Sequence, residues 1–138
     1  MENIFKINLK TLKTDNKPGS LINIDLDLIS KKYNIDFKIT NMFYFNDLNN
    51  EGSRGDHSNN NIRELIICQS GSFEIKLFDG KNNKTFKINE NECIFVPNDI
   101  WLSLNNFDNS IILVLCNNID GKEKKSIYNL EKFKKRTI

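Results

Sequence analysis

The chain has few of the residues that disulfide-rich folds and metal centres require. Its 138 residues include one histidine, three cysteines and no alanine. The cysteines Cys68, Cys93 and Cys116 lie far apart within apolar runs, and an odd number without close spacing argues against a disulfide framework or a zinc ribbon. We therefore expect three buried free thiols, as in proteins of a reducing cytoplasm.

Long apolar runs and a strong excess of one charge are also missing. No stretch approaches the roughly 20 apolar residues of a transmembrane helix, and the N-terminus lacks the apolar segment of a signal peptide. We therefore expect a cytoplasmic protein with no membrane partner. The formal net charge is only +2. The lysines near the C-terminus belong to a solvated helix end or contact phosphates, but nucleic acid is excluded as a partner because its binders carry larger basic faces.

Alternation of apolar and polar residues with a period of two dominates the chain and is typical of half-buried strands. It predicts strands at residues 21–27, 37–47, 64–69, 72–79, 85–88, 93–96, 101–104 and 110–116. Polar turns separate them, among them a hairpin at Asp79-Gly80. Helical spacing occurs only in residues 122–135. The pattern predicts one all-β domain over residues 1–138, an antiparallel β-sandwich or small barrel with a short C-terminal helix.

One long polar segment, residues 48–61 (LNNEGSRGDHSNNN), is predicted as a loop between two strands. It carries Arg54 and the only histidine, His57. Long loops on a rigid β scaffold often hold binding and catalytic residues, although a plain surface excursion also fits the composition. Chemistry that needs an imidazole must therefore use His57, unless this histidine is only a hydrogen-bonded loop residue.

The segment RGDHSNNNIRELIICQSG, residues 54–71, keeps the frame of the cupin metal motif with half of its imidazoles replaced. The motif's two histidines, glutamate and glycine correspond in this chain to His57, Asn59, Glu64 and Gly71. Leu102 stands where a further histidine would follow Pro97. Only His57 and Glu64 remain as ligands, fewer than the three that a stable site usually requires. We therefore predict neither a metal nor another cofactor.

A single imidazole is sufficient for proton-transfer chemistry. A neutral histidine near pH 7 accepts a proton and returns it, which is what moving a carbonyl along a carbon chain through an enediol requires, together with donors to the developing oxyanion. His57 is the candidate base, Tyr44 a donor and Arg54 an anchor for a charged group. Glu64 would orient the imidazole or pair with an arginine. Trp101 is either core packing or a wall for a sugar or base ring.

Several segments in order along the chain resemble the sugar-nucleotide 3,4-ketoisomerases, the WxcM-like cupins that act without metal. They are DNKPGSL, MFYFND, the R-G-x-H element, ELIIC with its S-G-S turn, the P-x-x-x-W element and IILVLC, within residues 15–116. The resemblance implies a cupin-type jelly-roll barrel that forms homodimers. It also implies conversion of a dTDP-4-keto-6-deoxyglucose into its 3-keto isomer, for deoxyaminosugar and surface-polysaccharide synthesis.

By resemblance, Arg54 and His57 take the places of the motif's arginine and first histidine, and Tyr44 that of an active-site tyrosine. The second histidine of the motif is replaced by Asn59, and a basic residue expected earlier is replaced by Asn41. One imidazole must then both remove and deliver the proton, or Tyr44 or water must supply the second step. The predicted site has catalytic and substrate-binding members: His57, Tyr44, Arg54, Asn59, Glu64 and Trp101.

Two other functions remain open from the sequence. A cupin with these replacements would bind a sugar or a sugar nucleotide without converting it. A structural or partner-binding β-domain would have no nucleotide affinity and would leave His57 fully exposed to water. The direction of the His57 side chain separates these possibilities, because an inward side chain supports the first two functions and an outward side chain excludes both.

Overall fold

The computed structural model describes residues 1, 3–12, 16–35, 38–49, 51–117 and 126–136. These residues form ten strands and two helices. Far more of the residues lie in strands than in helices, which confirms the predicted all-β class. The elements are β1 (Lys6–Asn8), β2 (Lys10–Leu12), β3 (Leu21–Asn23), α1 (Leu26–Tyr33), β4 (Asn41–Leu48), β5 (Arg54–Asn59), β6 (Glu64–Phe78), β7 (Asn83–Asn89), β8 (Glu92–Val96), β9 (Trp101–Cys116), β10 (Ser126–Ile127) and α2 (Leu130–Arg136).

Two long strands, β6 and β9, form the centre of an antiparallel sheet. Their pairing runs from Glu64 opposite Cys116 to Phe78 opposite Trp101. The sheet has the order β1-β8-β6-β9-β5-β10, with β4 added to β9 and β7 added to β6, while β2 and β3 form a separate pair. This order of strand pairing places β4, β5, β6 and β9 around one interior space.

The strand β6 is buried on both of its faces, which explains its continuous apolar run. Ile66 belongs to the larger core cluster, with Phe73, Phe107 and other side chains of β6 and β9. Its neighbour Leu65 belongs to a second cluster, where it packs with Ile29 of α1. Because successive residues of a strand point to opposite faces, a run without polar interruption indicates a strand covered on both sides.

Helix α1 was not predicted, and the strand predicted over residues 21–27 is wrong after Asn23. The side chain of Asp25 accepts a hydrogen bond from the backbone N–H of Leu28 at 3.0 Å, which caps the helix. Ile29 is buried, and Asn34 ends the helix in the left-handed conformation with φ of 53°. The alternation in this segment is also compatible with helical spacing, and the cap decides for the helix.

The turns predicted at the Ser-Gly sequence near residue 70 and at residues 105–109 are wrong, since β6 and β9 continue through them. The pairing of these strands instead shifts register at several points, as in β-bulges. Gly71 has φ of 73°, and a Cβ there would collide with the backbone oxygen of Asp108. In the described residues, every non-glycine residue with positive φ is Asn or Asp, the types that tolerate this conformation best.

The C-terminal helix is present but shorter than predicted. It covers Leu130–Arg136, is preceded by β10, and residues 122–125 of the prediction lie outside the described residues. Phe133 is fully buried against Phe78 and Trp101, with ring centroids 6.0 Å and 5.9 Å away. Neither described helix has the length and apolar character needed to cross a membrane. The three cysteines are buried and form no disulfide, as predicted.

Candidate active site

The segment predicted as a loop contains strand β5, which brings Arg54 and His57 to the same face of the sheet. Arg54 pairs with Leu104 of β9 and His57 pairs with Leu102, so three steps along β5 match two steps along β9. The extra residue is Asp56, with φ of 53°. This β-bulge decides the direction of both side chains, because residues three apart in a regular strand point to opposite faces.

Two hydrogen bonds to Asp56 and the close packing around Gly55 hold the bulge in place. The carboxylate of Asp56 accepts hydrogen bonds from the hydroxyl of Ser103 at 2.8 Å and from that of Ser53 at 2.5 Å. Gly55 has φ of 84°, and a Cβ built on it would lie 2.8 Å from Cδ1 and 3.2 Å from the carbonyl oxygen of Leu102. The glycine of the R-G-x-H element is therefore required by both the backbone angle and the space.

On the inner side of this bulge lies a cavity of about 490 Å³. Its volume is within the usual range for small-molecule sites. Its apolar walls come from β4, β6 and β9, and its polar lining residues are Asn41, Arg54, His57, Asn59, Glu64 and Tyr128. Four residues predicted as site members, Arg54, His57, Asn59 and Glu64, are thus brought together, and the half-buried side chain of His57 points inward.

A line of three polar side chains crosses the floor of the cavity. The Nδ2 atom of Asn59 lies 3.1 Å from Nε2 of His57 and 3.2 Å from Oε1 of Glu64. Asn59 and Glu64 are only 6% and 7% exposed. The other ring nitrogen of His57, Nδ1, is buried and has no hydrogen-bond partner among the described residues. The imidazole is therefore oriented through Asn59, with Glu64 behind it.

Two aromatic contacts complete the surroundings of the polar groups. The ring of Tyr128 stacks on that of His57, with centroids 5.6 Å apart and planes inclined by 30°. The guanidinium of Arg54 lies 4.7 Å from the centre of the Phe45 ring, a cation–π contact. This contact holds an exposed positive charge at the cavity, where it can attract a negatively charged group of a ligand.

Tyr44 and Trp101 were expected in this cavity, and neither of them lines it. Tyr44 lies on β4 between Phe43 and Phe45, whose side chains line the cavity, so strand alternation turns Tyr44 to the opposite face, where it is 62% exposed. Trp101 packs on Phe133 and borders a second space of about 420 Å³ on the other side of β5 and β9. The structure supports the core-packing alternative for Trp101.

Tyr128 lines the cavity, is 68% exposed and was not predicted as a site residue. Its position follows from the pairing of β10 with β5, in which Ser126 lies opposite Asn59 and Ile127 opposite Ser58. No local sequence pattern predicts the pairing of two strands that lie so far apart along the chain. No group of three His, Cys, Asp or Glu side chains arranged to hold a metal ion occurs within the part of the chain that the structure describes.

The chain is similar to known proteins over nearly its whole length. Residues 5–137 match the family described as FdtA: WxcM-like, C-terminal. The TDP-4-oxo-6-deoxy-α-D-glucose-3,4-oxoisomerase of Aneurinibacillus thermoaerophilus is 25% identical over 130 residues, which are 94% of this chain and 88% of that protein.

Solved structures of similar proteins extend over nearly the whole chain. WlaRA, a TDP-fucose-3,4-ketoisomerase from Campylobacter jejuni, is 30% identical with a TM-score of 0.78, and the match covers 99% of this chain and 96% of WlaRA. A 3,4-ketoisomerase from Helicobacter canadensis is 28% identical with a TM-score of 0.79, covering 96% of each chain. These matches confirm the resemblance found in the sequence, and the chain belongs to the FdtA family of WxcM-like proteins.

Proposed function

We propose that the protein is a 3,4-ketoisomerase that moves the keto group of a dTDP-4-keto-6-deoxyhexose from C4 to C3. The observation that carries the proposal is the bulge of β5, which directs Arg54 and His57 into one cavity of about 490 Å³. The similar proteins from Aneurinibacillus thermoaerophilus and Campylobacter jejuni, which are TDP-sugar 3,4-ketoisomerases, support the reaction and the substrate class.

The reaction requires one carbon-bound proton to leave and one to arrive at the neighbouring carbon. His57 takes the proton from C3 while a water molecule donates a proton to the C4 carbonyl oxygen, which gives an enediol and a hydroxide ion. The same imidazole returns its proton to C4 while the C3 hydroxyl gives its proton to that hydroxide, which restores the water and leaves the new carbonyl at C3. Arg54 binds the diphosphate at the cavity mouth, because a guanidinium offers phosphate a charge and paired donors. Asn59 and Glu64 orient the imidazole.

Proton NMR of dTDP-4-keto-6-deoxyglucose with the protein in deuterated water tests the proposal. We expect a 3-keto product that carries deuterium at C4, because the returned proton exchanges with solvent on the imidazole. The variant His57→Asn should lose this turnover. The variant Tyr44→Phe is the comparison, and it should keep it if the chemistry takes place in the cavity. An unchanged spectrum at high concentration of the wild-type protein would refute the proposed reaction.

A second candidate function is binding of a sugar or sugar nucleotide without turnover. It is favoured by one observation: His57 is the only imidazole in the chain, and Asn59 and Asn41 line the cavity where other ionisable groups are expected by resemblance. In this case dTDP-sugar would raise the melting temperature of both the wild type and His57→Asn. Ligand at about 100 times its Kd would stabilise the fold by about 2.7 kcal/mol. No keto product would form.

We also propose that the protein is a homodimer. Among the described strands, β4 pairs only with β9, so its other edge carries free backbone donors and acceptors. Met42 and Tyr44 on this strand are 67% and 62% exposed, an unusual exposure for large apolar and aromatic side chains. Analytical ultracentrifugation should find two chains for the wild type and one for Met42→Lys. A monomeric wild type would refute the dimer.

The cellular setting follows from the same proposal. Three buried cysteines without a disulfide fit a reducing compartment, so we propose a cytoplasmic enzyme. A 3-keto deoxysugar nucleotide is a substrate for amination, so the product would enter deoxyaminosugar and surface-polysaccharide synthesis. Deletion of the gene should remove an aminosugar from the surface polysaccharide, which composition analysis detects. An unchanged polysaccharide would refute the role in polysaccharide synthesis, and the proposed ketoisomerase activity would still stand.

A further inference from the structure

The amide of Asn59 lies between the two ionisable side chains of the cavity floor. One atom, Nδ2, is within hydrogen-bond distance of both Nε2 of His57, at 3.1 Å, and Oε1 of Glu64, at 3.2 Å. Both Asn59 and Glu64 are more than nine-tenths buried. One amide therefore links the hydrogen bonding of His57 to that of Glu64.

The charge of Glu64 determines which end of the amide faces it. An ionised carboxylate offers only lone pairs, so the amide atom beside Oε1 must be the NH2 group and not the oxygen. The NH2 group has two hydrogens, and its nitrogen is also next to Nε2 of His57. The second hydrogen is therefore directed at the imidazole, and Nε2 must accept it with a lone pair.

A neutral imidazole carries one hydrogen, on one of its two nitrogens. If Nε2 presents a lone pair to Asn59, the hydrogen of His57 is on Nδ1. Nδ1 has no hydrogen-bond partner among the described residues, so no donor or acceptor at that atom competes with the Asn59 amide in setting the tautomer. The tautomer of His57 thus follows from the negative charge of an ionised Glu64, which contacts His57 only through Asn59.

We infer that Glu64 is ionised and that Asn59, oriented by its carboxylate, is a positioning residue that fixes His57 as the Nδ1–H tautomer and makes Nε2 its basic nitrogen. For catalysis this inference rests on the proposed isomerase function. Nε2 is then the nitrogen that takes the proton from C3, and the Asn59 amide occupies it until a substrate arrives. The tautomer itself is a property of the free protein and does not depend on turnover.

Nitrogen NMR tests the tautomer directly, because His57 is the only histidine and a ¹⁵N-histidine label gives one pair of ring signals. The spectrum of the free wild-type protein is recorded at a pH where the imidazole is neutral. We expect a pyridine-type shift for Nε2 and a pyrrole-type shift for Nδ1. The opposite assignment, or two averaged shifts, would overturn the inference, whatever the protein does to a sugar nucleotide.

A charge-conserving exchange provides the sharper variant. In the double variant Asn59→Asp with Glu64→Gln, the carboxylate lies beside His57 and the amide lies behind it, with total charge and side-chain sizes kept. The carboxylate accepts from the imidazole, so the two nitrogen shifts should exchange and Nε2 should become pyrrole-type. The single variant Glu64→Gln should increase the Nε2–H population, because a glutamine accepts either orientation of the amide.

The exposed carboxylate of Glu90 provides the control, since Glu90→Gln removes a charge elsewhere and should leave both shifts unchanged. Unchanged shifts in the double variant and in Glu64→Gln would overturn the inference. If the expected shifts appear and no keto product forms, the tautomer assignment stands and the isomerase proposal fails. If turnover occurs with the opposite tautomer, only the role of Asn59 fails.

Discussion

Replacement of Gly55 by alanine should test whether the bulge of β5 is held as tightly as the structure indicates. Gly55 has φ of 84°, and the added Cβ would lie 2.8 Å from Cδ1 and 3.2 Å from the carbonyl oxygen of Leu102. Gly52 provides a matched control only three residues away. Its φ is 81°, nearly the same, but nothing lies within 4 Å of its added Cβ. The two variants share the backbone strain and differ in the steric contact.

The two effects have different magnitudes. A left-handed backbone at a residue with a Cβ costs about 1–2 kcal/mol, and this is the whole expected loss for Gly52→Ala. Leu102 is only 3% exposed and belongs to the larger core cluster, so displacing it adds the cost of overpacking, about 1–3 kcal/mol. We expect Gly55→Ala to lose about 2–5 kcal/mol of unfolding free energy in total.

Equilibrium unfolding in urea, followed by the fluorescence of the single tryptophan, measures both losses. The slope of the transition should stay constant, because the surface exposed on unfolding hardly changes. The His57 nitrogen signals should move in Gly55→Ala and not in Gly52→Ala, since the first variant displaces the strand that carries the imidazole. Equal losses of stability in the two variants would refute the steric argument, and unchanged His57 signals would refute the link to the site.

Other predictions concern groups around the core. Burial raises the pKa of Cys68 to about 11 and that of Cys93 to about 12, with Glu90 and Glu92 adding smaller effects, so both thiols should react with a thiol reagent at about pH 8 only after unfolding. Because these folded pKa values lie above the ordinary value of 9.0, the unfolding free energy should be highest below that pH and fall as the pH rises from 9.0 towards about 12, which urea midpoints along a pH series would check. Ser103→Ala removes a 2.8 Å hydrogen bond to Asp56 and should cost about 1 kcal/mol in urea unfolding, and a loss near zero would mean that this bond does not hold the bulge. Phe133→Ala should cost about 3–5 kcal/mol and shift the tryptophan emission to longer wavelength, and an unchanged emission would contradict the packing of α2 on Trp101.

Alternation and turn chemistry were sufficient to predict much of the sheet. The hairpin at Asp79-Gly80 joins β6 to β7 where expected, and β8 begins one residue before its prediction. The same signals failed inside the two long strands. Asn106 and Asn109 have positive φ and were interpreted as turn residues, but the pairing of β9 with β6 continues past them. A positive φ marks a bulge or a turn equally well, and only long-range pairing distinguishes the two.

Helix α1 was missed for a different reason. Leu26 continues the alternation of Ile22 and Ile24, and it also lies three residues before Ile29 as on a helical face, so apolar spacing over such a short segment is ambiguous. The decisive signal was Asp25, whose side chain caps the helix. A cap residue before an ambiguous apolar segment therefore carries more information than the segment itself.

The residues that form the site were easier to predict than the face of the sheet to which each side chain points. Arg54, His57, Asn59 and Glu64 line one cavity as expected, because their spacing along a known family motif carries them together. Tyr44 was expected with them as a donor and, by resemblance, as the active-site tyrosine of its strand, but the side to which a strand residue points depends on the register of the whole strand. The sequence indicates the strand and the period, and it does not indicate which face is the inner one.

The spacing of Arg54 and His57 explains why the most informative segment of the chain was also interpreted wrongly. Two side chains that act on one ligand from a regular strand lie an even number of positions apart, and these two lie three positions apart. Residues three positions apart can contact the same ligand from a loop, and they can equally do so from a strand with a bulge between them. Gly55 followed by Asp56 supplies two consecutive positive φ angles, and the hydroxyl of Ser103 on the facing strand holds the Asp56 carboxylate. A glycine and an aspartate between two functional residues at odd spacing therefore indicate a bulged strand, and a bulged strand holds the two side chains more rigidly than a loop does.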